Sequence, residues 1–121
     1  MTVELVSGRD ERLTLTRGPE GLTATLKGTA DAAFMTKTLE ALHQDALARR
    51  HAGVTLDLSQ LAPLEPAAVK AVIKWAMRQA ELEPSERYAI ALTYSESISW
   101  QKVSLAAIAH LCPYVRLAPI A

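Results

Sequence analysis

The chain has little with which to do covalent chemistry. Among its 121 residues there is one cysteine, Cys112. No internal disulfide can form, and a reducing compartment is the simplest setting. A cytoplasmic protein is therefore expected, with Cys112 as a small core residue near the end of an apolar helix. Neither charge is in surplus, because 13 Lys plus Arg stand against 13 Asp plus Glu. That balance removes the long-range attraction on which general binding to nucleic acid or to an anionic membrane rests. No apolar run approaches the roughly 20 residues needed to span a bilayer. The first residues, MTVELVSGRDER, lack the basic head and apolar middle of a signal peptide. No membrane insertion is expected.

Catalytic and ligand-binding signatures are missing too. There is no glycine-rich phosphate loop of either common type. Ser95, Ser97, Ser99 and Ser104 stand in no Gly-x-Ser-x-Gly elbow, so caps and loop hydrogen bonds are their expected roles. His43, His51 and His110 are far apart and share no ligand spacing with one another or with Cys112. Without clustered acids, bases or nucleophiles, the chain reads as neither an enzyme nor a metal or cofactor protein.

What is present is an ordinary globular composition, 50% hydrophobic and 21% charged, long enough for one domain over residues 1–121. Leu13–Thr16 and Leu22–Leu26 alternate apolar and polar residues around the turn signal RGPEG, which predicts a β-hairpin. Val3–Val6 is a candidate further strand. Asp31 is placed to cap a helix running to about Arg50, with Met35, Leu39, Leu42 and Ala46 on one face. Gly53 ends that segment. Val54–Ser59 is the most strongly patterned strand. Pro66 suits the first turn of a second helix, to about Leu82. Tyr88–Thr93 is an apolar strand. Ser97 or Ser99 would cap a third helix to Leu111, and Val115–Leu117 a last strand stopped by Pro119. The order is β-β-α-β-α-β-α-β. It predicts an α/β fold: a mixed sheet of four to five strands with an N-terminal hairpin and three main helices.

Two stretches then resemble the STAS family, the sulfate-transporter and anti-sigma-factor-antagonist domain. LTATLKGTADAAFMTKTLEAL, residues 22–42, is similar to the family's strand, glycine and acidic residue opening the first helix. VTLDLSQLAPLEPAAVKAVI, residues 54–73, is similar to its apolar strand ending in Asp-Leu-Ser, short loop and amphipathic helix. The resemblance implies a bacterial signalling module whose partner is an anti-sigma factor or kinase-like regulator. In the family, a serine at this junction is phosphorylated by that partner. A phosphoserine adds roughly two negative charges at the start of the helix. Here the segment reads Glu65-Pro66-Ala67-Ala68. Glu65 stands near the family's aspartate, Ala67 where the modified serine would be, and Ala68 in place of the glycine. Neither proline nor alanine can accept phosphate, so the switch does not carry over and a constitutively competent binder is expected.

The candidate partner-binding set is Asp57, Ser59, Glu65, Ala67, Ala68, Ala71 and Trp75. Glu65 reads either as a fixed negative charge at the helix start or simply as a helix-favouring residue. Ser59 is a possible displaced phosphorylation site, or with Asp57 it orders the loop. On the second helix Val69, Val72, Ile73, Ala76 and Ala80 form the expected core stripe. Trp75 falls about 120° from its centre at 100° per residue, which leaves packing or partner contact open. A turn sealed inside the molecule, with the indole of Trp75 hidden beneath other segments, would remove the docking surface altogether. On the third helix Ile98, Leu105, Ile108 and Cys112 share one stripe, and Trp100, Val103, Ala107 and Leu111 the opposite one. That two-sided helix suggests a second interface or a homodimer. A small-ligand module for nucleotide or lipid is the alternative to protein docking.

Overall fold

The structure is a computed structural model, which describes residues 2–6, 12–18, 21–29, 31–61, 63–112 and 114–120. In chain order the elements are β1 (Thr2–Val6), β2 (Arg12–Gly18), β3 (Gly21–Gly28), α1 (Ala32–Arg49), β4 (Gly53–Leu61), α2 (Pro66–Ala80), β5 (Ala89–Ser95), α3 (Ser99–Leu111) and β6 (Val115–Ile120). The predicted mixed α/β architecture with three helices is what forms, and Thr2–Val6 joins it to make six strands. Residues 19–20, at the tip expected from RGPEG, and the segment 7–11 lie outside the described residues.

The sheet order is β1-β2-β3-β4-β5-β6, so every strand lies beside its neighbour in sequence. β1, β2 and β3 pair antiparallel, while β3, β4, β5 and β6 pair parallel. Three consecutive parallel crossovers run in one direction along the sheet, and because such crossovers share one hand, α1, α2 and α3 fall on the same face. Side-chain burial follows the two-residue strand period. Leu22, Ala24, Leu26, Val54, Leu56, Leu58, Ile90, Leu92 and Tyr94 face the helices and are buried. The residues between them face the other way: Thr23, Thr55, Asp57, Thr93 and Arg116 are half-buried or exposed, and the small Ala91 is buried. Each fully buried leucine side chain is worth roughly 1.5–3 kcal/mol of transfer free energy, so the sheet is held from one side.

Two strands run further than the sequence pattern predicts. In β4 the pairing with β3 moves from Thr25↔Asp57 to Lys27↔Gln60, so β4 carries one extra residue. Such a bulge lets Ser59 and Gln60 both turn outward while Leu58 and Leu61 both turn in. Strict alternation would have ended the strand at Ser59. β6 continues through Pro119, which pairs in register with Tyr94. Proline is tolerated there because β6 is an edge strand, with no neighbour on its outer side needing an amide hydrogen.

α1 opens as predicted. Asp31 Oδ1 accepts from the Phe34 amide at 2.8 Å. α3 does not: its N-cap is Ile98, without a side-chain cap. Ser97 instead meets the Ser95 hydroxyl at 2.8 Å.

Candidate partner-binding rim at the carboxyl edge of the sheet

In open α/β sheets the loops at the carboxyl ends of the parallel strands carry the exposed working residues. Here these are the β3–α1, β4–α2 and β5–α3 connections. Side chains tie down the elements on either side of the β4–α2 connection. On one side Gln101, fully buried on α3, donates from Nε2 to the Leu58 carbonyl at 2.8 Å, and its Oε1 accepts from the Ser95 amide at 2.7 Å. One amide side chain thus ties the ends of β4 and β5 to α3. On the other side Glu65 Oε1 accepts from the Ala32 amide at 3.1 Å. Its backbone carbonyl accepts from the amides of Ala68 and Val69, which starts α2. Glu65 therefore begins α2 with its backbone and caps α1 with its carboxylate. Free amides of a first helical turn favour such a negative partner.

The predicted set is divided by this geometry. Pro63, Glu65, Pro66 and Ala67 are exposed, and Leu64 and Ala71 are half-buried. They make a rim with hydrophobic, carboxylate and small groups and no hydroxyl. Asp57 and Ser59 lie within β4 and point to the face of the sheet away from the helices. Asp57 Oδ1 accepts from both the Ser59 amide at 3.0 Å and the Ser59 hydroxyl at 2.7 Å. Ala68 is 0% and Trp75 4% exposed.

The burial of Trp75 corrects the stripe assigned to α2. The buried side chains of that helix are Ala68, Val72, Trp75, Ala76 and Gln79. Val69, Ile73 and Ala80 are only half-buried. The helix is rotated toward α1, its main helical neighbour, and carries the indole inside. There Trp75 Nε1 donates to Tyr88 Oη at 2.9 Å, and the same oxygen lies 2.7 Å from His43 Nδ1. Gln79 donates to the Tyr88 backbone carbonyl. The phenol oxygen is thus shared between the indole N–H and the His43 ring. Burial holds the His43 pKa below its ordinary value, with the Arg78 charge acting in the same direction. Burial also pushes Tyr88 up to about 12. This chain is a satisfied core network that fixes α1, α2 and the start of β5 together.

Sequence reasoning missed Gln101 and the Tyr88 hub. Gln101 had a signal. The stripe Ile98, Leu105, Ile108, Cys112 skips the step at 101, and a polar residue in that gap must find partners inside. Tyr88 and His43 are 45 residues apart, and no local pattern joins them. On α3 the opposite stripe divides as well. Trp100 is half-buried, Ala107 exposed, and Val103 and Leu111 are 71% and 63% exposed. Among the described residues, no three His, Cys, Asp or Glu side chains are grouped to hold a metal ion, and no helix is long and apolar enough to cross a membrane.

Comparison with solved structures supplies the fold's relatives. An anti-sigma factor antagonist from Mycobacterium paratuberculosis superposes with a TM-score of 0.62 at 12% identity, covering 93% of this chain and 90% of the other. The chain has a STAS-like fold. An uncharacterized protein of the DUF3478 family from Shewanella loihica PV-4, with a SpoIIAA-like fold, superposes with a TM-score of 0.59 at 12% identity, covering 96% and 91%. No family model matches the sequence, and no curated protein matches it either. The likeness thus lies in the STAS-like arrangement of strands and helices, preserved where sequence identity is low.

Proposed function

We propose that this chain is a non-enzymatic protein-interaction module of bacterial signalling. It docks an anti-sigma-factor-like or kinase-like regulator through the rim formed by Leu64, Glu65, Ala67 and Ala71. The observation that carries the reading is the rim itself. Residues 63–67 are exposed or half-exposed, and the segment is flanked by two ties, Gln101 to β4 before it and Glu65 to the first turn of α1. A surface ordered before binding loses less entropy on docking. With Pro66 and Ala67 at its centre, this segment has no phosphate acceptor where the family's serine would stand, so docking does not use that switch. The STAS-like fold supports this reading. Trp75 and Ala68 are no longer part of the surface, and Asp57 and Ser59 belong to the opposite face.

Photo-crosslinking tests the rim. A benzophenone side chain at Ala67 should capture one defined protein in host cells, and the same group at Lys37 on α1 should not. Equal capture from both positions, or none from Ala67, would overturn the reading. A second surface is favoured by the exposure of Val103 and Leu111 on α3. We assign it to self-association, which Val103→Glu should abolish in sedimentation runs at several concentrations.

A further inference from the structure

The face of the sheet away from the helices has no role in docking at the rim, and its composition is unusual for a bare surface. Parallel strands are normally covered on both faces. Here four parallel strands leave one face open, and among the described residues its centre carries threonine and alanine, with Lys27 toward the carboxyl end of β3. The pairing registers align one row across five strands: Thr16 beside Thr23, Thr23 beside Thr55, Thr55 beside Ala91, and Ala91 beside Arg116. This row lines a hollow of about 760 Å³, within the range of small-molecule sites, roughly 300–1,000 Å³.

The row is polarised. At one end three threonine hydroxyls repeat at about 4.8 Å, each able to donate and to accept. In the middle, Ala89 and Ala91 keep the floor low. At the far end stands Arg116, exposed and without an acidic partner among the described residues. A guanidinium presents a planar fork of donors suited to phosphate or carboxylate oxygens. Asp57, the nearest acid of this face, is one step along β4 and two strands from β6, on the order of 10 Å from Arg116. It stands on the hydroxyl side, where a carboxylate accepts from alcohols.

We propose that this open face binds a small anionic polyol, a sugar phosphate or nucleotide monophosphate. Its anionic group sits on Arg116 and its hydroxylated body runs over Ala91 toward Thr55 and Thr23. The distance from Arg116 to Thr55 is two strand spacings, about 10 Å, which such a molecule spans. The site lies on the other side of the sheet from α1, α2 and α3. It therefore stands or falls separately from docking at the rim.

The test is an NMR titration of the ¹⁵N-labelled full chain with ribose 5-phosphate, AMP and inorganic phosphate in separate arms. We expect saturable shifts at the amides of Thr23, Thr55, Ala91 and Arg116 with at least one of the two organic phosphates, and a much weaker response to inorganic phosphate. Which of the two saturates first separates a sugar phosphate from a nucleotide. Arg116→Gln should weaken binding roughly tenfold or more, as expected for losing a charge-assisted hydrogen bond. Thr55→Val, which keeps the β-branched shape, should weaken it several-fold while leaving the rest of the spectrum unchanged. The proposal is overturned if neither organic phosphate gives saturable shifts, if Arg116→Gln binds as the parent does, or if inorganic phosphate reproduces the response. It is also overturned if dilution alone moves these amides, because a second copy then covers the face.

Discussion

The two faces of one sheet have been put to opposite uses. Toward the helices, strands β3, β4 and β5 present leucine, isoleucine, valine and alanine, all buried. Away from them the same strands present threonine, alanine, aspartate and serine, with Lys27 and Gln60 toward the carboxyl end. Residues adjacent in sequence, such as Thr55 and Leu56, therefore belong to different physical problems: one to packing, the other to solvent and recognition. The rim and the proposed small-molecule face both lie outside the packed face, one at its carboxyl edge and one on its bare side.

The comparison is broken most severely at the packed face. Leu56→Ala should destabilise the chain by about 2–5 kcal/mol, through lost transfer energy and the cavity left behind. Thr55→Ala, one residue away, should stay within about 0.5 kcal/mol. Urea midpoints of the two variants measure the difference, and equal losses would mean the bare face is buried after all.

Next in size is the latch under the rim. Gln101→Leu leaves the Ser95 amide without its side-chain acceptor and the Leu58 carbonyl without its donor. Unsatisfied buried groups of this kind cost about 1–3 kcal/mol. Hydrogen exchange at Ser95 should accelerate more than at Leu92, which lies deeper in β5. Uniform acceleration would show a general loss of stability rather than a local latch.

A smaller effect is expected from His43. In the folded chain its pKa is lowered, chiefly by burial, whereas an unfolded histidine has a value of about 6.5. Above that value both states are neutral and the residue adds no pH dependence. As pH falls below it, the unfolded state takes up the proton first, so stability declines. Arg78 and Glu40 face the ring with opposing influences. The decline in urea midpoint between about pH 7 and pH 5.5 should be shallower in His43→Asn than in the parent. An identical slope would show that His43 is freely protonated in the fold. The smallest effect belongs to Glu65→Ala. Loss of its contact with the α1 amide should cost about 0.5–1 kcal/mol and loosen the rim without unfolding it, as amide exchange at Ala32 would report.

Much of this architecture was legible beforehand. Strict alternation at Val54, Leu56 and Leu58, the Asp31 cap and Pro66 at a helix start are local signals, and each element formed where its signal stood. The STAS-like order followed from them. The site was less legible, for physical reasons. The β4 bulge is one extra residue, which pattern reading takes as the end of a strand. Trp75 was misassigned because the core stripe of α2 was centred on its aliphatic residues. The actual rotation is set by packing against α1 and by Tyr88, which gives the indole N–H a buried partner. Glu65 reaches a different helix 33 residues earlier, a contact that exists only after folding. The open face was spelled out as Thr-x-Thr and Thr-x-Asp, but the row ending at Arg116 appears only when the registers are known.

The most direct test of this two-sided arrangement is thiol labelling in a Cys112→Ser background, which removes the buried native thiol. With cysteine placed in turn at Thr55, Ala67 and Val72, we predict rapid modification of the folded chain at the first two positions and protection at the third. Protection at position 55 would show the bare face covered. Protection at 67 would show the rim sealed, and with it the proposed docking surface gone.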